Sequence, residues 1–337
     1  MQNDEQRTDP IRDFNTLTPE MAIALVEQQL GVSCTNLCRP LNSYINRVFE
    51  IGLMDGGAVV AKFYRPGRWS LAALRDEHTW LIELAERDIP VIAPLTAGDG
   101  GTIGVHRGMY FTVFPKKLGR SIDEPSYDQW EELGRLLARV HLVGEMHPPE
   151  NRIIMGPEES TRQHVDFILS RGVVPHNLRD DFERAANETI EMIAPLFRGV
   201  ERIRIHGDCH YGNIVYRPGE SFYLIDFDDM AVGPPVQDLW MLLPGYAAES
   251  RAEIEMMLEG YETFRPLDRR TLKLIEPLRA MRFLHFLAWC AVQASDGSAS
   301  RLAPGWGTTS YWQTEIADLR RQQEEIAASR NVSWSLG

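Results

Sequence analysis

Apolar and polar positions change rhythm several times along this chain, and each change predicts an element. Thr18-Pro19-Glu20 precedes a helical run that reaches Leu30 and stops at Gly31; a hydroxyl cap followed by proline suits a first turn. From Leu37 to Tyr64 the period shortens to two. Arg47-Val48-Phe49-Glu50-Ile51 alternates, Asp55-Gly56-Gly57 supplies a turn, and Ala58 to Tyr64 returns as the second arm of a hairpin. Leu71, Leu74, His78, Leu81 and Leu84 then recur at three- and four-residue steps, which predicts a helix from Ser70 to about Arg87. Strands follow at 91–95, 104–105 and 109–114. Beyond them the pattern is mostly helical, over 125–146, 160–170, 177–197, 235–243, 250–264, 268–293 and 309–329. The exceptions are strand-like: a half-buried stretch at Ile203–Ile205, then Ile214–Tyr216 and Phe222–Ile225, the last two joined by a Pro218-Gly219 turn. Residues 1–16 read as loose and charged, 294–308 as a loop and the last eight as frayed. Pro115-Lys116-Lys117-Leu118-Gly119 is the strongest boundary. It separates a strand-rich domain, 1–115, from a helix-rich domain, 116–337, in an α+β chain.

Three polar groups stand at the ends of the middle strands: Asp208, Asn213 and Asp226. Phosphoryl transfer needs such a set, a carboxylate to take a hydroxyl proton and oxygen donors for a hard cation that spreads phosphate charge. Asp208 is the candidate base; Asn213 and Asp226 are the candidate Mg²⁺ ligands. The alternative is a β-turn with an Asx cap and an acidic surface. Lys62 interrupts an apolar strand, where an ammonium is costly unless it meets an anion; an exposed edge strand is the plainer reading. Leu41-Asn42-Ser43-Tyr44-Ile45-Asn46 contains no glycine, yet its amides and the Ser43 hydroxyl can face phosphate.

Composition narrows the partners. The chain has 337 residues, 44% hydrophobic and 25% charged, with a net charge of −13. That balance predicts no nucleic-acid or membrane partner. A local set of donors still accommodates ATP. The start has no apolar segment, and the longest apolar run, around Phe283 to Val292, is short and holds His285. Cys34, Cys38, Cys209 and Cys290 lack zinc-ligand spacing and read as free thiols in a cytoplasmic protein.

His206-Gly207-Asp208, then Asn213, then a strand-end Asp226 resembles the aminoglycoside-phosphotransferase-like kinase family. Gly207 stands where protein kinases have arginine, and Asp228 where they have glycine. The resemblance covers nearly the whole chain. It implies a protein-kinase-like fold of two lobes, a small antiparallel sheet and a helix-rich partner. It further implies that Lys62 meets the α- and β-phosphates, that an acid of the 70–87 helix orients Lys62 (Glu77, with Glu83 and Asp76 as alternatives), that backbone groups of Phe114 to Lys116 pair with adenine, and that Asp238 braces the catalytic turn. Leu41-Asn42-Ser43-Tyr44, Lys62-Phe63-Tyr64-Arg65-Pro66 and Val236-Gln237-Asp238-Leu239-Trp240 are similar to a bacterial branch of serine/threonine protein kinases. That similarity implies a protein acceptor and a role in stress response against toxin–antitoxin-driven death; a monomer, with the chain itself among the acceptors, is a separate expectation that the sequence does not decide. A kinase of small amino alcohols or sugars is the other reading, since acids near the turn suit a cationic acceptor. A pseudokinase or acyl-transfer enzyme fits less well: Lys62, Asp208, Asn213 and Asp226 are all present, and no nucleophile elbow is.

Overall fold

The computed structural model describes residues 9–43, 45–122, 124–295 and 302–330. Tyr44, the expected loose start over 1–8, the loop over 296–301 and the frayed end over 331–337 lie outside the described residues. The chain divides into two compact units. One comprises 1–122, 149–152 and 212–228; the other comprises 123–148, 153–211 and 229–337.

In the first unit, helices α1 (Pro10–Asn15) and α2 (Pro19–Leu30) precede strands β1 (Cys34–Leu41), β2 (Arg47–Leu53) and β3 (Ala58–Phe63); helix α3 (Leu71–Ala85) precedes β4 (Gly104–His106) and β5 (Met109–Pro115). The strands form one antiparallel sheet in the order β1-β2-β3-β5-β4. Phe49, Ile51, Ala61, Phe63 and Val113 pack with Phe14, Leu25 and Val26 in one apolar core. Thr18 caps α2 and Ser70 caps α3, each accepting a bond from a backbone amide three residues on.

Two expectations are corrected here. Residues 10–15 are helical, not loose: Asp9 caps the turn and Phe14 anchors it in the core. A single buried side chain leaves no periodicity to read. The 91–95 strand is absent, and only Val91 forms a bridge, with Leu224. Pro90 and Pro94 lack the amides a ladder needs. The Pro218-Gly219 turn does close the hairpin of Ile214–Tyr216 and Phe222–Leu224.

The second unit is largely helical: α4 (Tyr127–Gly144), α5 (Arg162–Arg171), α6 (Arg179–Ile193), α7 (Val236–Trp240), α8 (Arg251–Tyr261), α9 (Ile275–Ser295) and α10 (Thr309–Ser329). A core of Phe182, Ile190, Leu284, Leu287 and Trp312 joins α6, α9 and α10. Helices α4 and α8 touch through backbone; a Cβ at Gly134 would lie 1.9 Å from the Met257 carbonyl oxygen. Ile203–Ile205 pairs antiparallel with Ala231–Gly233, a three-residue strand too short to show a pattern. The expected half-burial of Ile203–Ile205 is also corrected, because Arg204 is buried too. Its guanidinium donates to the Val143 carbonyl at 2.7 Å, at the negative end of α4. Among the described residues no helix is long and apolar enough to cross a membrane.

Candidate active site

The first unit gathers carboxylates around cations. Lys62 lies on a central strand, opposite Val48 and Thr112, and is buried. Its Nζ is 2.7 Å from Asp226 Oδ1 and 3.4 Å from Asp228 Oδ1. Burial alone would lower its pKa, but Asp226, Asp228 and Glu77 outweigh that and hold the ammonium charged. Glu77, on α3, turns its carboxylate to Arg152 at 2.7 Å. Arg152 also donates to the carbonyls of Ala73 at 2.9 Å and Asp228 at 2.7 Å, and lies over the Trp69 ring. Glu77 acts on Lys62 through charge, while its direct partners are Arg152 and, at 3.5 Å, the Tyr64 hydroxyl. Buried Asp228 accepts from Asn46 Nδ2 at 3.0 Å and pairs with Arg68.

Asp226 differs from its neighbours. Its φ of +59° is left-handed, uncommon for a residue other than glycine, and its side chain is 47% exposed. Strain held at a strand end beside a lysine is characteristic of functional positions. The Ile225 amide donates to the Asn213 carbonyl at 3.0 Å, which ties the two candidate metal ligands together through backbone. Among the described residues no group of three or more His, Cys, Asp or Glu is placed to hold a metal. One carboxylate and one amide fit Mg²⁺, which keeps waters and takes phosphate oxygens for its remaining positions.

The other expected nucleotide contacts are placed as follows. Ser43 Oγ accepts the Asn46 amide at 3.2 Å, closing the turn between β1 and β2. Phe114 pairs with Val60 on β3. The Lys116 amide donates to Ala58 at 3.2 Å, so that amide is already engaged, and its ammonium pairs with Glu50.

In the second unit Asp238 organises the turn that carries Asp208. It accepts the amides of His206 at 2.7 Å and Gly207 at 2.8 Å, and a bond with His141 Nε2 at 3.0 Å. His141 is held in turn by Tyr261. Gln237 donates to the Gly207 carbonyl at 3.0 Å. Gly207 has φ +83°, and a Cβ there would lie 2.2 Å from the Asp229 carbonyl oxygen. Asp208 Oδ1 meets Arg282 at 2.6 Å, and Oδ2 meets His210 at 3.4 Å. Burial pushes the Asp208 pKa up, but the His210 bond and the Arg282 charge outweigh it and hold the carboxyl well below the usual range. Cys209 is buried, which pushes its thiol up and leaves no thiolate for nucleophilic work. Gly207, Gln237, Arg282, His285, Thr161 and His164 line a pocket beside this turn.

Comparison with known proteins assigns the class. The phosphotransferase enzyme family (APH) matches residues 37–275, and the chain belongs to that family. It is 38% identical over 311 residues to stress response kinase A of Salmonella choleraesuis (strain SC-B67), covering 92% of this chain and 93% of the relative. The same identity and coverage relate it to a Salmonella typhimurium protein named serine/threonine protein kinase RdoA. It is 37% identical to stress response kinase A of Escherichia coli (strain K12) over 93% of this chain and 94% of that one. Among solved structures, amicoumacin kinase hAmiN, in complex with AMP-PNP, Ca²⁺ and Ami, superposes with TM-score 0.71 at 19% identity, covering 93% of this chain and 94% of that one. A microcompartment-associated aminopropanol kinase gives 0.67 at 19%, covering 90% and 98%. The fold is therefore protein-kinase-like.

Several residues in these clusters escaped sequence reasoning. Arg152 follows Glu150-Asn151 in an irregular segment with no periodicity. Asp228 stood out only as a departure from the kinase pattern. Arg282 sits one residue before exposed Phe283 on α9, and nothing in its neighbours points to Asp208.

Proposed function

We propose that this chain is an ATP-dependent serine/threonine protein kinase of the bacterial stress response, protecting cells from toxin–antitoxin-driven death. The observation that carries this reading is the 38% identity, over 92% of the chain, to relatives named stress response kinase A and serine/threonine protein kinase RdoA. The protein is cytoplasmic and monomeric in this reading, and can serve as its own acceptor.

In the reaction, Asp208 takes the proton from an acceptor hydroxyl. That oxygen bonds to the γ-phosphorus of ATP as the bond to the bridging oxygen breaks, and ADP departs. Lys62 holds the α- and β-phosphates, giving up Asp226 for them. Asn213 and Asp226 hold Mg²⁺, which when bound neutralises charge on the phosphates. Ser43 faces phosphate from its turn. Glu77 keeps Lys62 charged and fixes Arg152. The backbone near Phe114 and Lys116 takes adenine, through groups other than the engaged Lys116 amide. The 1–115 domain covers ATP, and the 116–337 domain carries the base and the acceptor.

Labelled ATP supplied to the protein alone, then with cell lysate, then with small-molecule fractions, tests this reading. Label on serine or threonine of a protein is expected. Label confined to a small amine or sugar would overturn the protein acceptor and favour a small-molecule kinase.

A further inference from the structure

Arg282 belongs both to the base and to the pocket. Its guanidinium holds Asp208 Oδ1 at 2.6 Å, approaches His285 Nδ1 at 3.5 Å, and lines the pocket beside Gly207. With His210 on Oδ2, both oxygens of Asp208 face basic side chains. The pocket also holds polar atoms without partners. Thr161 is 1% exposed, and among the described residues neither its Oγ1 nor Nδ1 of His164 has a hydrogen-bond partner. Buried polar atoms in native proteins are nearly always paired, so two on one wall point to a polar ligand. Thr161 ends a π-helical turn, Pro157–Thr161, a distortion that recurs at functional sites. His164 stacks on His285 at 4.8 Å. Burial and the neighbouring imidazole push His164 down to about 3, so it is neutral at physiological pH. Arg282 is the fixed positive charge among these lining side chains.

A carboxylate gripped by a guanidinium is a poor proton acceptor, and an acceptor hydroxyl must loosen that grip. A part-buried guanidinium released without another anion is costly. Asp229 lines the same pocket but has interactions of its own. An acceptor that brings a carboxylate beside its hydroxyl supplies the missing anion. We propose that this pocket reads a carboxylate next to the acceptor hydroxyl, and that Arg282 moves from Asp208 to that carboxylate as the acceptor binds. The proposal rests on the protein-acceptor reading. The substrate class is then a serine or threonine with Asp or Glu within two residues, a span of roughly 7 Å in extended chain. Arg282, the buried Thr161 and the part-buried His164 fix the acidic side chain while the hydroxyl takes the vacated Oδ1. Basic residues at that position are repelled, so the acids seen near the turn do not select a cationic acceptor.

The test compares matched acceptors that differ only in charge. Synthetic peptides with one serine carry Glu, Gln or Lys two residues away; glycerate and glycerol form a small-molecule pair. Phosphate transfer from labelled ATP is measured for the full chain and for Arg282→Gln and Arg282→Lys, with melting temperatures as folding controls. The Glu peptide should exceed the Gln peptide by about tenfold or more in kcat/KM, the scale of a charged hydrogen bond. The ratio should fall to near one in Arg282→Gln and recover in part in Arg282→Lys. Equal use of Glu and Gln peptides by the unaltered chain, or an unchanged preference in Arg282→Gln, overturns the role of Arg282 and leaves the protein-acceptor reading intact. Transfer to glycerate over glycerol, with no peptide used, overturns the protein acceptor while keeping the carboxylate. Transfer to none of the five overturns both.

Discussion

Asp226 and Asp228 are met by side-chain cations, whereas Asp238 is met chiefly by backbone amides. In the first unit Lys62, Arg68 and Arg152 pair with the carboxylates of Asp226, Asp228 and Glu77, side-chain partners that a bound anion or cation could displace. In the second, Asp238 accepts the amides of His206 and Gly207 and a buried histidine, partners that no ligand replaces. One arrangement suits binding and exchange; the other fixes the shape of a turn. Asp208 stands between these cases, because its carboxylate meets side chains while Asp238 holds the amides of the two residues before it. The lesson is that similar carboxylates take different roles according to whether their partners can leave.

The sharpest break in this comparison is Asp208→Asn. Turnover should fall by about 10²–10⁴, as for other lost general bases, with ATP affinity in calorimetry nearly unchanged. Near-normal turnover would remove Asp208 from the role of base. Asp238→Ala should act on stability instead, since it strands two buried amides and His141. A loss of about 3–5 kcal/mol in denaturant unfolding is expected, and a smaller one would mean the turn holds itself. Lys62→Ala belongs to the exchangeable side. Arg68 and Asn46 still hold Asp228, so activity should fall at least tenfold while the thermal midpoint moves little. A large drop in midpoint with normal specific activity would make the lysine structural.

Acid distinguishes the units less sharply. His78 and His164 both lie near 3 in the fold, against an ordinary 6.5, mainly through burial. The unfolded chain takes up these protons between those values and the native chain does not. Stability should therefore decline as pH falls through that window, by up to about 1.4 kcal/mol per pH unit for each histidine. Unfolding free energies at pH 7, 6 and 5 check this, and His164→Gln should flatten the slope. The smallest expected effect is none. Residues 227–237 contain no Ser, Thr or Tyr, so phosphatase treatment followed by its removal should leave the initial rate unchanged.

Much of this was legible because it was periodic or strung along a short stretch. The β2–β3 hairpin, the α3 face with Glu77, and the run from Asp208 to Asp226 declared themselves. What stayed hidden came from distant, irregular pieces. Arg152 reaches Glu77 from a segment 75 residues away in sequence, and Arg282 reaches Asp208 from α9. Charge pairs of that kind leave no local signature. The 91–95 strand failed for another reason: apolar content outweighed two prolines in the reading, but not in the ladder.

Gly207 carries a consequence for how this protein can change over generations. Any side chain there would collide with the Asp229 carbonyl oxygen and would have to adopt a left-handed backbone. The arginine that occupies this place in regulated protein kinases is thus not one substitution away. The 229–233 segment would have to be rebuilt first, and each intermediate would sacrifice the turn that presents Asp208. A lineage with this geometry is steered toward control by the amount of protein made or by the acceptor it admits, and away from a phosphate switch beside the base.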